Sequence, residues 1–165
     1  MADLTTNARR MVRLFEQMRD ARPGPAFAAL KRLNLSPSHL HTMHLLMPDR
    51  ALPLKELAER LQMTPPSVTA ITRRLVQTGL AQRTAHAEDS RIVLLSLTDA
   101  GRALYEQVTQ EYTERMTRLL AGLSAAEQEQ FLDLLERAVH AMRAADRAAD
   151  DSRHSSRPPT HNNED

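Results

Sequence analysis

The sequence contains no cysteine and no tryptophan, and only 3% of its 165 residues are aromatic. Without cysteine the chain can form no disulfide framework, no cysteine-ligated zinc site and no thiol-based redox sensor. Four glycines in the whole chain and few aromatic side chains also disfavour a turn-rich all-β fold. Alanine, leucine and methionine therefore supply most of the apolar surface, and this composition favours packed helices.

Long apolar runs and enzyme motifs are lacking as well. No stretch approaches 18 apolar residues, so no membrane span is predicted. The first 25 residues carry charges at Asp3, Arg9, Arg13 and Glu16 and contain no apolar core of signal-peptide length. We find no nucleophile motif, no phosphate-binding loop and no carboxylate pair placed in a cleft. We therefore expect a cytoplasmic protein that is not an enzyme and needs no cofactor.

Apolar periodicity and capping signals predict an order of helices, a helix-turn-helix, a hairpin and two long helices. Helices are predicted over residues 7–22, 26–33, 37–47, 54–61, 65–78, 99–121 and from 125 onward, and strands over 80–85 and 92–97, with 51–53 as a small edge strand. The helix starts are marked by Ser36-Pro37, by Thr64-Pro65 and by the capping box from Ser124 to Glu127, and Gly79 is a C-cap candidate. The predicted fold class is mainly α with a small β-hairpin wing: a winged helix-turn-helix plus a helical dimerisation region.

The terminal helices carry apolar faces that one small winged domain cannot cover. These faces comprise Met11, Leu14, Phe15 and Met18 in the first helix, Leu104, Val108, Tyr112, Met116, Leu119 and Leu120 in the helix after Thr98, and Phe131, Leu134, Leu135, Ala138 and Met142 in the last helix. A homodimer built from these helices would cover them and would present two recognition helices. We therefore divide a single domain, residues 1–145, into dimerisation helices at 7–34 and 99–145 and a winged helix-turn-helix at 36–98 with its wing at 80–97. Residues 146–165 are polar and are predicted to be a disordered tail.

The helix over residues 65–78 has the composition of a recognition helix, which places its N-terminal half against base edges in the major groove. Its face opposite Val68, Ile71 and Leu75 is polar and carries Pro66, Ser67, Thr69, Ala70, Thr72, Arg73 and Arg74. Ser and Thr hydroxyls can bond base edges, and Arg suits a phosphate or guanine. We therefore predict DNA contacts from Lys55, Thr64, Pro66, Ser67, Thr69, Ala70, Arg73 and Arg74. An ordinary solvated helix face is the alternative.

The polar connector between the two strand candidates is predicted to be the tip of a wing. Arg91 has the reach to enter a minor groove, where narrow A·T tracts attract a guanidinium. Asp89, two residues earlier, can pair with Arg91 or a nearby arginine and hold the tip in shape. Asp89, Ser90 and Arg91 therefore complete the predicted DNA-binding set, with an exposed ion pair of little energetic value as the alternative.

With these motifs in place, the chain resembles the MarR family of multiple-antibiotic-resistance regulators over roughly residues 7–145. The matching segments are Leu35-Ser36-Pro37-Ser38, Leu57-Ala58-Glu59-Arg60-Leu61, Ser67-Val68-Thr69 to Leu75 with Gly79-Leu80, Asp89-Ser90-Arg91, and Leu95-Ser96-Leu97-Thr98-Asp99-Ala100-Gly101. The resemblance implies a homodimer that binds a pseudo-palindromic operator in double-stranded DNA and leaves it when a small molecule binds. It also implies that Arg91 is the minor-groove arginine with Asp89 as its wing partner, and that Ser67, Thr69 and Arg73 occupy major-groove positions.

The resemblance further implies an effector site where the dimer helices meet the winged domain, for a phenol or an aromatic acid. The candidate residues there are Met18, His41, His44, Met47 and Tyr112. Methionines at helical spacing are more often core residues than ligand contacts. His39, His41 and His44 invite a metal site, but a third ligand from another helix would be required, and no metal residue is assigned.

The sequence thus predicts a DNA-binding transcriptional regulator that acts as a repressor. Three alternatives stay open at this point: a metal-responsive regulator of the same fold, an architectural protein that binds DNA without sequence preference, and an adaptor that binds no DNA.

Overall fold

A computed structural model describes residues 3–20, 24–86, 89 and 91–155. In chain order its elements are α1 (Leu4–Asp20), α2 (Pro25–Arg32), α3 (Pro37–Leu46), β1 (Leu52–Pro53), α4 (Leu54–Leu61), α5 (Pro65–Gln77), β2 (Ala81–Ala85), β3 (Val93–Leu97), α6 (Asp99–Leu120) and α7 (Ala125–Ser155). The predicted fold class, mainly α with a β-hairpin wing on a helix-turn-helix, is confirmed. Within the described residues, no helix combines the length and apolarity needed to cross a lipid bilayer.

The sheet is small and antiparallel, with strand β3 between β1 and β2. Leu95 of β3 lies opposite Leu52 of β1 on one side and Arg83 of β2 on the other. The edge strand predicted at residues 51–53 therefore pairs with β3. Leu95 and Leu97 are buried, whereas β2 exposes residues 82–85. The sheet thus has one face against the helices and an open hairpin that extends away from them.

The core lies where α3, α4 and α5 pack on the sheet. Met43, Leu46, Leu57, Leu75 and Leu95 have no measurable exposure. They come from three helices and the central strand, so the helix-turn-helix and the wing share one apolar centre. This shared core holds the recognition helix α5 at a fixed orientation to the hairpin.

Local sequence signals set the ends of these helices. Gly79, just beyond the C-cap of α5, has a φ of +71°, a left-handed conformation that favours glycine. The Leu80 N–H donates to the Leu75 carbonyl at 2.9 Å and the Gly79 N–H to the Val76 carbonyl at 3.0 Å, closing the helix end. The predicted C-cap is therefore confirmed, and it turns the chain directly from α5 into β2.

Helix α6 begins against that same turn. The Thr98 hydroxyl donates to the Gly79 carbonyl at 2.7 Å and accepts the Gly101 N–H at 3.1 Å. The Thr98 N–H also donates to the Leu80 carbonyl at 3.1 Å. The Leu-Thr-Asp-Ala-Gly segment thus both caps α6 and fastens it to the end of the recognition helix.

The chain divides into two compact units, Met1–Glu114 and Arg115–Asp165, so the division falls inside α6 and not at residue 145. In the second unit, the predicted capping box is confirmed, because Ser124 N–H and hydroxyl both donate to the Glu127 carboxylate at 2.8 and 2.7 Å. These bonds hold the pKa of Glu127 below its usual value, since they favour the charged carboxylate. The Gln128 amide donates to the Leu120 and Leu123 carbonyls, which closes the end of α6.

Helix α7 continues through Ser155, beyond the boundary predicted at residue 145. Alanines at 144, 145, 148 and 149 have the highest helix propensity, so this segment can extend the helix without an apolar face. The structure thus assigns residues 146–155 to α7, where the sequence predicted a disordered tail. Residues 156–165 of the predicted tail lie outside the described residues.

The apolar faces of the terminal helices remain largely exposed in the single chain. On the predicted apolar face of α6, Tyr112 and Leu119 are exposed, whereas Leu104 and Val108 are buried within the single chain. Exposed apolar residues of the terminal helices also include Met11, Leu14 and Phe15 in α1 and Phe131, Leu132, Leu134, Leu135 and Met142 in α7. Faces of this size on soluble proteins commonly mark interaction surfaces.

Candidate DNA-binding interface

The recognition helix α5 presents a mixed polar surface at its first two turns. Pro66, Ala70 and Arg73 are exposed, and Ser67 and Thr69 are half-buried. The Thr69 hydroxyl donates to the Pro65 carbonyl at 2.8 Å, so its oxygen is left to accept a hydrogen bond from outside. These side chains offer hydroxyl acceptors, apolar groups and one free-reaching guanidinium, which are the groups that read base edges in a major groove.

Two residues predicted on that face point elsewhere. Thr72 is fully buried, and its hydroxyl donates to the Thr69 carbonyl at 3.2 Å. Arg74 is half-buried, and its Nε and Nη2 both donate to the Leu33 carbonyl, at 3.0 and 2.7 Å. This geometry does not support the predicted DNA contact of Arg74, because its guanidinium is directed to the end of α2.

Lys55, Thr64 and Thr69 line one groove between α4 and the start of α5, with a volume of about 590 Å³ and a mainly apolar lining. Lys55 and Thr64 are exposed, and the Thr64 hydroxyl shares a hydrogen bond of 2.9 Å with the Ser67 hydroxyl. Thr64 occupies the predicted N-cap position, although this bond to Ser67 replaces a side-chain cap. The Lys55 ammonium group at one rim suits a phosphate oxygen, whereas Pro65 and Pro66 at the start of α5 have no N–H to offer.

The wing tip is a short turn that Asp89 holds. Its carboxylate accepts the Arg91 backbone N–H at 2.9 Å, and its carbonyl accepts the Ile92 N–H at 3.0 Å. The Arg91 side chain is exposed beyond this turn. Asp89 thus braces the tip through the backbone of Arg91, and Ser90 lies outside the described residues.

A second, shallower groove of about 360 Å³ lies between α3 and α6. It brings together three of the predicted effector residues, His41, His44 and Tyr112. Met18 and Met47 are not among its lining residues; Met47 is half-buried and packs against the core. The effector assignment of Met18 and Met47 is therefore not supported by this groove.

Tyr105 belongs to the same groove and was missed in the sequence. Its hydroxyl lies 2.7 Å from His44 Nδ1, and the two rings are 6.0 Å apart between centroids. Tyr105 precedes Tyr112 by seven residues, and Val108 and Thr109 lie between them on the same helical face. The two-turn spacing was therefore a usable signal for all four residues.

The histidines of α3 have separate roles. His39 Nδ1 accepts the Ser36 backbone N–H at 3.0 Å and lies 2.8 Å from the Ser36 hydroxyl, whereas His44 faces Tyr105. Burial lowers the pKa of His39 below its ordinary 6.5, and the nearby charge of Arg74 lowers it further. Across the described part of the chain, no three His, Cys, Asp or Glu side chains group to hold a metal ion.

His39 gives the fold a predictable pH dependence. Its lowered pKa means that the unfolded chain binds the proton more strongly, so the stability that neutral His39 contributes is complete above pH 6.5 and decreases as the pH falls below it. In His39→Gln, urea unfolding should show a smaller loss of unfolding free energy between pH 7.5 and 5.5 than in the wild type. His41→Gln, which removes an exposed histidine of the same helix, is the control. An equal loss in all three proteins would contradict the role of His39.

The chain is similar to a known protein family and to a known repressor. Residues 35–93, which span α3 to the start of β3, match the model of the MarR family. The HTH-type transcriptional repressor MdtR of Bacillus subtilis (strain 168) is 32% identical over 99 residues, which are 60% of this chain. The chain spans 64% of the length of that curated relative.

Two solved structures are similar over most of their length. The YusO protein from Bacillus subtilis has 27% identity and a TM-score of 0.69, and the match covers 84% of this chain and 96% of that one. An S. aureus MepR–DNA complex has 26% identity and a TM-score of 0.63, with coverage of 81% and 96%.

Proposed function

We propose that this chain is a MarR-family homodimeric transcriptional repressor that binds a pseudo-palindromic DNA operator, since residues 35–93 match the model of that family. Two similarities support the proposal: one relative is a transcriptional repressor, and one similar structure is a complex with DNA. The main observation behind the proposal is that the exposed polar start of α5 and the exposed wing residue Arg91 belong to one compact unit. Two such readers in a symmetric dimer would match two half-sites about one helical turn apart.

The dimer is proposed to form through α1, α6 and α7, with residues 36–98 as the DNA-binding part. The exposed apolar residues of α1 and α7 support this assignment, because a monomer would leave them in water. In this proposal each chain binds one half-site. The net charge of the chain is only +1, and two modest basic surfaces can then bind the DNA together.

The first experiment is a binding titration at physiological salt on the protein's own upstream intergenic DNA and on scrambled DNA of equal length. Fragments selected from the whole genome extend the search to distant operators. Tight, selective binding with two protected half-sites supports the repressor. Equal binding to all fragments would indicate an architectural protein, and no binding to any would indicate an adaptor.

Arg91→Ala tests the wing. Because the exposed guanidinium is held at the tip of a braced turn, its removal should weaken operator binding by about 1–3 kcal/mol and leave the dimer intact. Fluorescence anisotropy on the protected fragment measures the affinity, and sedimentation measures the dimer. Arg50→Ala, at an exposed position outside the predicted DNA-binding set, is the matched control. Unchanged affinity in Arg91→Ala would remove the wing from the reader.

The groove between α3 and α6 is proposed to take the effector, a phenol or an aromatic acid. The rings of Tyr105 and Tyr112 supply flat apolar faces, and the two histidines supply hydrogen-bond partners. Benzoate, salicylate and phenol are suitable first probes. Release of the bound operator fragment by one of these probes would support the proposal. If the same probe released the fragment equally well from a Tyr112→Ala variant, the effector would bind elsewhere.

A further inference from the structure

Helix α2 is held at both ends by charged side chains from two other helices. At its start, the Glu111 carboxylate of α6 accepts the Ala26 N–H at 2.7 Å and the Phe27 N–H at 3.3 Å. Gly24, at the N-cap, has no side chain that could do this, so the first-turn N–H groups depend on Glu111. The ring of Phe27 also lies 6.1 Å from that of Tyr112, next to Glu111 in α6.

At the other end, Arg74 of the recognition helix makes two hydrogen bonds to one carbonyl. Its Nε and Nη2 reach the oxygen of Leu33, the C-cap residue of α2. Glu111 therefore lies at the positive end of the α2 dipole and Arg74 at the negative end, where each charge is favoured. Eight residues of helix, about 12 Å long, thus connect α6 to the recognition helix.

We propose that α2 positions the recognition helix for DNA binding, with Glu111 and Arg74 as its two positioning residues. The inference rests on the proposed DNA-binding function and adds residues to it that touch no DNA. The two adjacent arginines then have different roles. Exposed Arg73 contacts DNA, and half-buried Arg74 sets the angle of the recognition helix. Because the contacts at the two ends of α2 act in series, breaking either end releases the same constraint on the recognition helix.

Arg74→Gln separates positioning from contact. It removes the bidentate fork, and we expect roughly tenfold weaker binding to the protected operator fragment. The slope of log affinity against log salt should stay at the wild-type value, because no phosphate contact is lost. Arg73→Ala should lower that slope by about one. Arg32→Gln, which removes an exposed cation from the same end of α2, should stay within about twofold of wild-type affinity.

The link through α2 is tested by breaking its other end. Glu111→Gln keeps the side-chain size but loses the charge. Gly24→Ala leaves α6 unchanged but places a Cβ against the Glu111 carboxylate, whose flexible end must move away. Each should weaken operator binding severalfold in the wild-type background and add almost nothing in Arg74→Gln, since the series is already broken.

Several results would overturn this role. A shallower salt slope in Arg74→Gln would make Arg74 a DNA contact. Losses of affinity that add in the double variants would make the two ends independent. Reduced unfolding free energy with unchanged operator affinity would leave both residues with a purely structural role. If the wild-type chain bound no DNA selectively, the proposed function would fail together with this one; if it bound and the variants lost nothing, the positioning role alone would fail.

Discussion

The Leu134→Glu chain should be a monomer and should bind the operator fragment roughly 100-fold more weakly than the wild type. Leu134 is 52% exposed in the single chain, within the apolar face of α7 that we assign to the dimer. A carboxylate buried there without a partner would cost several kcal/mol, more than one site of an interface can lose without effect. In the proposed dimer each chain binds one half-site, so loss of the dimer would remove the avidity of the second contact.

The same result is expected from the other end of the chain. Phe15 of α1 is 53% exposed, and Phe15→Glu should also convert the dimer to a monomer. Gln130→Glu in α7 and Gln17→Glu in α1 make the same acidic change at exposed polar positions and should stay dimeric. Sedimentation gives the mass, and circular dichroism shows whether the helices remain. A Leu134→Glu chain that stayed dimeric with full affinity would move the interface away from α7.

Signals that act over a few residues predicted the fold well. Ser36-Pro37 and Thr64-Pro65 begin α3 and α5, Gly79 ends α5, and Ser124 with Glu127 begins α7. Each of these signals involves side chains and backbone groups at one helix end. Because the interacting residues are close in the sequence, the interaction can be predicted from the sequence alone. The Leu-Thr-Asp-Ala-Gly segment predicted the start of α6 equally well, because Thr98 and Gly101 lie close together in the sequence directly after the hairpin.

Side-chain direction within α5 was harder to predict, for two different physical reasons. Thr72 follows Val68 by four residues and precedes Leu75 by three, so helical periodicity alone places it inside; its hydroxyl was given too much weight. Arg74 reaches a carbonyl 41 residues away, in a segment whose position depends on the whole fold. No local pattern contains that bond, and the same holds for Glu111, which bonds 84 and 85 residues back.

Gly101→Ala should destabilise the chain where α6 begins against the turn that follows α5. A Cβ on Gly101 would overlap the backbone carbonyl oxygen of Leu80, which is fixed because the Thr98 N–H donates to the same oxygen. The backbone of α6 or of the turn after α5 would have to shift, and overpacking of this kind costs about 1–3 kcal/mol or more. Better helix propensity returns at most about 1 kcal/mol, so we expect a net loss of about 1–2 kcal/mol of unfolding free energy.

The matched control for Gly101→Ala is Gly122→Ala, at the turn between α6 and α7. A Cβ at Gly122 meets only the Leu119 carbonyl oxygen at 3.9 Å, an ordinary contact. That variant should therefore stay within about 0.5 kcal/mol of the wild type in urea unfolding. Because the Leu80 carbonyl belongs to the turn that follows the recognition helix, Gly101→Ala should also weaken operator binding under conditions where the chain is still folded. A Gly101→Ala protein as stable as Gly122→Ala would mean that the start of α6 does not fasten the end of α5.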